Sequence, residues 1–144
     1  MMTFESLNLG HVTDDFSVAP QLALHQMESL REMGYRSVLV VRPDHEVPGQ
    51  PNHVQIGDAA RAAGLESRYT PCNPATMGPA EVTAFARNIK ALPTPIVAFC
   101  ASGRRAMMLW ALAMAGQRPA GEIIERAMMA GHDISDIAPL LDPD

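Results

Sequence analysis

The chain has 144 residues, 47% hydrophobic and 19% charged, which is enough for one domain (1–144) with a proper core and too apolar for a disordered segment. The formal net charge is -5 and no basic run exceeds two residues, so nucleic acid is not expected as a partner. The longest apolar stretch, Ala106 to Gly116, is too short to span a bilayer, and no membrane association is expected.

The N-terminus (Met1-Met2-Thr3-Phe4-Glu5-Ser6) has no basic n-region and no apolar h-region, so a cytoplasmic location is expected. Two cysteines do not make a disulfide framework. In a reducing compartment they are free, catalytic or redox-active.

Residues 1–15 are polar and read as irregular. Phe16-Ser17-Val18-Ala19 reads as a short strand. Pro20 then opens a predicted helix, with apolar Ala23, Met27, Leu30 and Met33 at near-helical spacing and Gly34 as its cap. Ser37-Val38-Leu39-Val40-Val41 is continuous, apolar and β-branched, the pattern of a strand buried on both faces of a parallel sheet. Residues 42–51 carry three prolines and a glycine and form a loop.

A helix is predicted from Asn52 to Ala63, closed by Gly64. Leu65 to Pro71 is a less apolar strand, suited to a sheet edge. A second loop covers 72–79, and Pro79 fits the first turn of the next helix, whose stripe is Val82, Phe85, Ala86 and Ile89. Pro93 and Pro95 stop that helix. The run Pro95-Ile96-Val97-Ala98-Phe99 is a strand ending at Cys100. Helices follow at 104–115 and from Pro119 to Ala130, the first apolar nearly all round and therefore central. Asp133 or Ser135 is placed to cap a last short turn.

Strand and helix alternate about four times, the pattern of an α/β sandwich with a mainly parallel sheet. Ligands bind such sheets beyond the carboxyl ends of the strands. The loops at 42–51, 72–78 and 100–105 are then expected on one face, with Cys100 at its centre.

Cys100-Ala101-Ser102-Gly103-Arg104-Arg105 carries the chemistry. A thiol at a strand–loop–helix turn meets loop N–H groups and a helix N-terminus, both of which favour negative charge. Such a cysteine is expected to carry thiolate near neutral pH. Cations at a helix N-terminus oppose the macrodipole by about 0.3–1 kcal/mol each, so the placement of Arg104 and Arg105 points to a bound anion.

Val12-Thr13-Asp14-Asp15, Val41-Arg42-Pro43-Asp44 with Pro48-Gly49-Gln50-Pro51, and Phe99 to Arg105 occur in an order that resembles the phosphatase-like domain of beta-lactamase-hydrolase-like proteins. Gly121-Glu122-Ile123-Ile124 to Gly131-His132-Asp133-Ile134 is similar too. The resemblance covers most of the chain, and the cysteine loop is its most specific part. It implies a cysteine-phosphatase-like fold, the three-layer sandwich of dual-specificity phosphatases. It leaves the reaction open between phosphatase-like hydrolysis and sulfur transfer.

The loop spacing decides the expectation. Cysteine phosphatases show Cys-x5-Arg followed by Ser or Thr, the arginine clamping phosphoryl oxygens with its planar fork. Here the sixth residue after the cysteine is Ala106, and Arg105 gives Cys-x4-Arg, the spacing that resembles rhodanese-type sulfurtransferases. A phosphatase also needs an acid for the leaving alkoxide. The 72–78 loop has no Asp or Glu, which leaves Asp44 and Glu46 as substitutes.

The expected function is therefore sulfur transfer through a Cys100 persulfide, with a small anionic or thiol/persulfide substrate. A phosphatase acting through phosphocysteine is the alternative, and an inactive anion-binding or regulatory domain the second. In the two catalytic readings, Cys100 and Arg105 do the chemistry, while Ala101, Ser102, Gly103 and Arg104 bind the substrate. Gly103 permits the positive φ that a tight anion loop needs. Ser102 can donate its hydroxyl to the sulfur.

Cys72 is either a resolving thiol for Cys100 or a small apolar loop residue. Arg42 and Asp44 are expected to pair with each other. His45 and His53 flank the site as surface residues. The five histidines show no paired ligand spacing, so no metal is expected, and no cofactor either. Methionines 107, 108, 114, 128 and 129 read as core filler, with a few available to a homodimer interface.

Overall fold

The computed structural model describes residues 7–142. In chain order the strands are β1 (Gly10–Thr13), β2 (Phe16–Ala19), β3 (Ser37–Val40), β4 (Glu66–Tyr69) and β5 (Ile96–Phe99). The helices are α1 (Met27–Glu32), α2 (His53–Ala62), α3 (Pro79–Ala91), α4 (Arg104–Met114), α5 (Ala120–Met129) and α6 (Ala138–Leu141).

A strand without a polar face must be covered on both sides. β5 has none: Ile96, Val97, Ala98 and Phe99 are each at most 2% exposed. It accordingly lies in the middle of a five-stranded sheet of order β1-β2-β5-β3-β4. β2 and β3 flank it in parallel register, β4 runs parallel to β3, and β1 is antiparallel to β2. This mixed, mostly parallel sheet with helices on both faces is the sandwich expected from the alternation of elements. β4, with its alternating exposed and half-buried residues, is an edge as its weak hydropathy predicts.

Each face has its own core. On one side Leu22, Met27, Leu30, Tyr35, Ile56, Ala60 and Leu65 pack on Val38, Val40, Val97 and Phe99. On the other, α3, α4 and α5 cover Val18, Leu39, Ile96 and Ala98. Phe16 anchors the second core, stacked on Trp110 at 6.0 Å and edge-on to Phe85 at 5.9 Å. Burying each such ring stabilises the fold by about 1.5–3 kcal/mol.

Three sequence expectations change. Residues 10–13, read as irregular, form β1, because Val12 is buried and Gly10 lies against α5. Helix α1 does not start at Pro20: Ala23 remains extended, a 3-10 turn fills Leu24–Gln26, and Met33 is 57% exposed. Of the methionines assigned to the core, Met107 is buried, but Met128 and Met129 are 52% and 78% exposed. Among the described residues no helix is long and apolar enough to cross a membrane.

Candidate active site

Cys100 follows directly on the central strand. Its N–H donates to the Ala19 carbonyl at 3.4 Å, and Val41 N–H donates to Phe99 O at 2.9 Å. These bonds fix the strand end from both sides. The segments after β3, β4 and β5 leave the same edge of the sheet, so the three predicted loops meet there.

The turn after Cys100 is made by Gly103, whose φ is +95°. In that conformation the Gly103 N–H points back at the Cys100 Sγ, 3.1 Å away, and its carbonyl opens α4 by accepting from Met107 N–H at 3.0 Å. A Cβ at this position would lie 3.1 Å from His132 Nε2 and 3.3 Å from Ala19 O. His132, which sequence reasoning did not single out, thus packs on the cysteine turn. Burial, helped by the neighbouring Arg104 charge, pushes its imidazole below the usual range.

The two arginines diverge. Arg105 donates to both carboxylate oxygens of Glu46, at 2.7 and 2.9 Å, and to the Cys72 carbonyl at 2.9 Å. Arg104 reaches the other way, to Asp133 O at 2.7 Å and to the Asp136 carboxylate at 3.0 Å. The chain's own carboxylates therefore account for both cations at the α4 N-terminus, and Arg104 is not aimed at the loop as expected. Arg42 donates to Glu46 at 2.8 Å and to Gln21 at 3.1 Å, so it does not pair with Asp44. Two guanidinium groups share one carboxylate, which leaves a unit of positive charge in excess beside the thiol.

That geometry governs ionisation. The Arg105 hydrogen bond, with Arg42 adding to it and partial burial opposing it, holds Glu46 below the ordinary carboxylate range. Arg105 is in turn raised, first by Glu46 and then, against burial, by the charges of Cys100 and Glu46. Burial would raise Asp44, but the His53 ring at 2.6 Å and the His53 N–H at 2.8 Å outweigh it and leave Asp44 lowered. Both candidate acids are thus held as carboxylates. His53 is stacked on Tyr69 at 3.9 Å and serves the loop.

Ser102 turns its hydroxyl oxygen to the Arg104 N–H at 3.3 Å, and no bond to the sulfur is formed. Ala101 is exposed, and its carbonyl accepts from Gln21 N–H at 3.2 Å. Cys72 and Cys100 are both free and buried. Burial, reinforced by Glu81, pushes the Cys72 thiol up, which disfavours the thiolate a resolving cysteine needs. Its carbonyl, not its thiol, is what reaches the site.

A cleft of about 500 Å³ opens beside the loop, with Ser102, Arg104 and Arg105 in its wall. Cys100 has no solvent exposure and is not part of that wall. The Glu46 and Asp136 partners lie 59 and 32 residues from the arginines they hold, beyond any local signal.

The family model for the beta-lactamase hydrolase-like protein, phosphatase-like domain, matches residues 8–117. A beta-lactamase hydrolase-like protein of Agrobacterium fabrum is 30% identical over 125 residues, covering 85% of this chain and 29% of that protein. The chain therefore spans less than a third of that relative. A solved structure of a candidate phosphatase from Neisseria meningitidis superposes with a TM-score of 0.84 at 27% identity, covering 95% of this chain and 98% of that one. The core catalytic domain of a PP-IP phosphatase from S. cerevisiae shares the fold, with a TM-score of 0.68 at 16% identity over 93% of this chain and 83% of that one.

These matches overturn the sulfur-transfer expectation: the family and the fold neighbours are phosphatase-like, not rhodanese-like. The expectation weighed the loop length and the missing acid in the 72–78 loop, and neither outweighs the family match. The shorter loop still keeps Arg105 at the rim, held there by Glu46 and Cys72 O, with Arg42 as a second guanidinium beside it.

Proposed function

The chain belongs to the phosphatase-like domain family of beta-lactamase hydrolase-like proteins, and on that premise we propose that it is a cysteine-dependent phosphatase acting on phosphate monoesters. The observation that carries this reading is the Gly103 N–H aimed at the Cys100 sulfur beneath a rim where Arg42 and Arg105 share the single Glu46 carboxylate. A thiolate and a phosphoryl dianion are both served by that excess of positive charge.

In the first step Sγ of Cys100 attacks phosphorus, an S–P bond forms, and the P–O bond to the leaving group breaks with its electron pair going to oxygen. Arg105 turns its fork from Glu46 to the phosphoryl oxygens. In the second step water attacks phosphorus, its proton passes to the hydroxide left in solvent by the first step, and the S–P electron pair returns to sulfur as thiolate. Inorganic phosphate leaves, carrying the oxygen of that water. Asp44 stays bound to His53 and Glu46 to Arg42, so in this reading the leaving oxygen takes its proton from water. Turnover is then fastest for leaving groups of low basicity.

The test is hydrolysis of p-nitrophenyl phosphate by wild type and by Cys100→Ser. Wild type is expected to turn over, to be inhibited by vanadate and to show a phosphocysteine on Cys100 by mass spectrometry after acid quench. The serine variant is expected at background. Equal activity in the variant overturns the covalent mechanism. Absence of hydrolysis of any phosphate ester by wild type overturns the function.

A further inference from the structure

The cleft beside the loop is polar at one end only. Ser102, Arg104 and Arg105 line the end at the cysteine turn, and the rest is Pro74, Met77, Met108, Leu112, Ile137 and Leu140. These apolar residues come from three separate elements: the loop after β4, the outer side of α4, and the C-terminal segment. Leu140 is 62% exposed and gains contact area only if an apolar group enters the cleft.

The third wall is tied to the site by Arg104. Its guanidinium spans from the first turn of α4 to Asp133 O and Asp136, so the segment carrying Ile137 and Leu140 is fastened to the residue next to Arg105. The cleft adjoins Arg105, though its wall does not include Cys100, and a group attached to a phosphate held by Arg105 would extend along it.

We infer that the cleft is the leaving-group subsite and that it selects phosphate esters of extended apolar aromatic alcohols over those of small ones. The inference rests on the phosphatase reading for its anion end. It takes its specificity from Met77, Met108, Leu112 and Leu140. Aromatic alcohols also meet the second demand of the site, since phenolic oxygens leave without prior protonation more readily than alkoxides, and Asp44 and Glu46 are engaged by His53 and Arg42.

The experiment compares 2-naphthyl phosphate with phenyl phosphate, whose leaving groups are of similar basicity but differ by one fused ring. Wild type is expected to favour the naphthyl ester in kcat/KM by about tenfold, the effect of burying one further ring edge at the usual rate per apolar area. Leu140→Asp and, independently, Met77→Asp are expected to bring that ratio near one, with the loss in KM. Circular dichroism melts check that each variant is folded. A wild-type ratio near one, or a ratio unchanged in both folded variants, overturns the inference.

Binding separates it from the reading beneath it. Naphthylmethylphosphonate and methylphosphonate are titrated against Cys100→Ser protein by calorimetry. Tighter binding of the naphthyl compound, lost in the Leu140→Asp background, supports the subsite even if wild type hydrolyses neither ester, in which case only the phosphatase reading falls. Equal binding of the two phosphonates sinks the subsite even if both esters are hydrolysed.

Discussion

At Gly103 one backbone angle sets the chemistry. Its φ of +95° is what turns an N–H toward the sulfur, and a side chain would be strained there by about 1–2 kcal/mol. The added Cβ would also press on Ala19 backbone atoms at 3.3 Å, which cannot swing aside as a flexible side chain can. Gly103→Ala is therefore expected to lower the melting temperature by several degrees and to cut p-nitrophenyl phosphate turnover more than tenfold, because relief of the strain moves the N–H off Sγ. Unchanged melting and turnover would show that the turn is not under this constraint. Glu46 makes a different prediction. Its carboxylate competes with substrate for the Arg105 fork and also aims that fork. Glu46→Gln is expected to bind inorganic phosphate more tightly, as one negative charge leaves the rim, while kcat falls because Arg105 loses its anchor. Weaker phosphate binding in the variant, measured as a higher inhibition constant, contradicts this account.

Among the elements, legibility followed the range of the stabilising contact. β3, β5, α2, α3, α4 and α5 are marked by local pattern: unbroken apolar runs, a Pro79 start, and Asn52 capping Gln55 N–H at 2.8 Å. The cysteine turn was equally legible, since Cys100 and Gly103 meet within one turn. β1 was not. Its four residues, Gly10–Thr13, carry one aliphatic side chain. The strand is held by its pairing with β2, by the Arg126 guanidinium on Val12 O at 2.9 Å, from 114 residues away, and by the close seat of Gly10 on Ala130. The same distance effect hid the Glu46 anchor of Arg105 and the Asp136 anchor of Arg104, whereas Arg42 pairs with Glu46 and not with Asp44 because His53 occupies the Asp44 carboxylate. Gly10→Ala tests this account of β1. Its Cβ would lie 2.3 Å from the Ala130 carbonyl oxygen, so the strand or α5 must shift, at about 1–3 kcal/mol. Faster amide exchange in β1, with β3 and β5 unaffected, is the expected result; uniform protection would show that α5 yields freely.

For the molecule as a whole, the groups that titrate below neutral pH are shifted one way. Glu46, Asp44, Glu122 and Asp133 are all lowered: Glu46 first by Arg105, Glu122 by Arg126 and Arg118, and Asp133 by Ser135, while in Asp44 the His53 bonds overcome burial. Each binds its proton more weakly folded than unfolded, so the unfolded chain gains protons first as pH falls. The stability they contribute is present above the ordinary carboxylate values near about 4 and is lost below them. His132 is lowered as well, by burial and Arg104. The unfolded chain protonates this ring near about pH 6.5 while the folded chain resists, so stability also declines as pH drops from there toward the folded value. Acid should therefore act in two stages, a shallow one below about pH 6.5 and a steep one below about 4.5. Urea midpoints at pH 7.5, 5.5 and 4 resolve the stages, and His132→Gln is expected to remove the first and leave the second. Because His132 lies against Gly103, the first stage should also loosen the cysteine turn before the fold is lost, so turnover should fall ahead of unfolding. A midpoint that does not change between pH 7.5 and 5.5 in wild type would remove His132 from this role and leave acid sensitivity to the carboxylates alone.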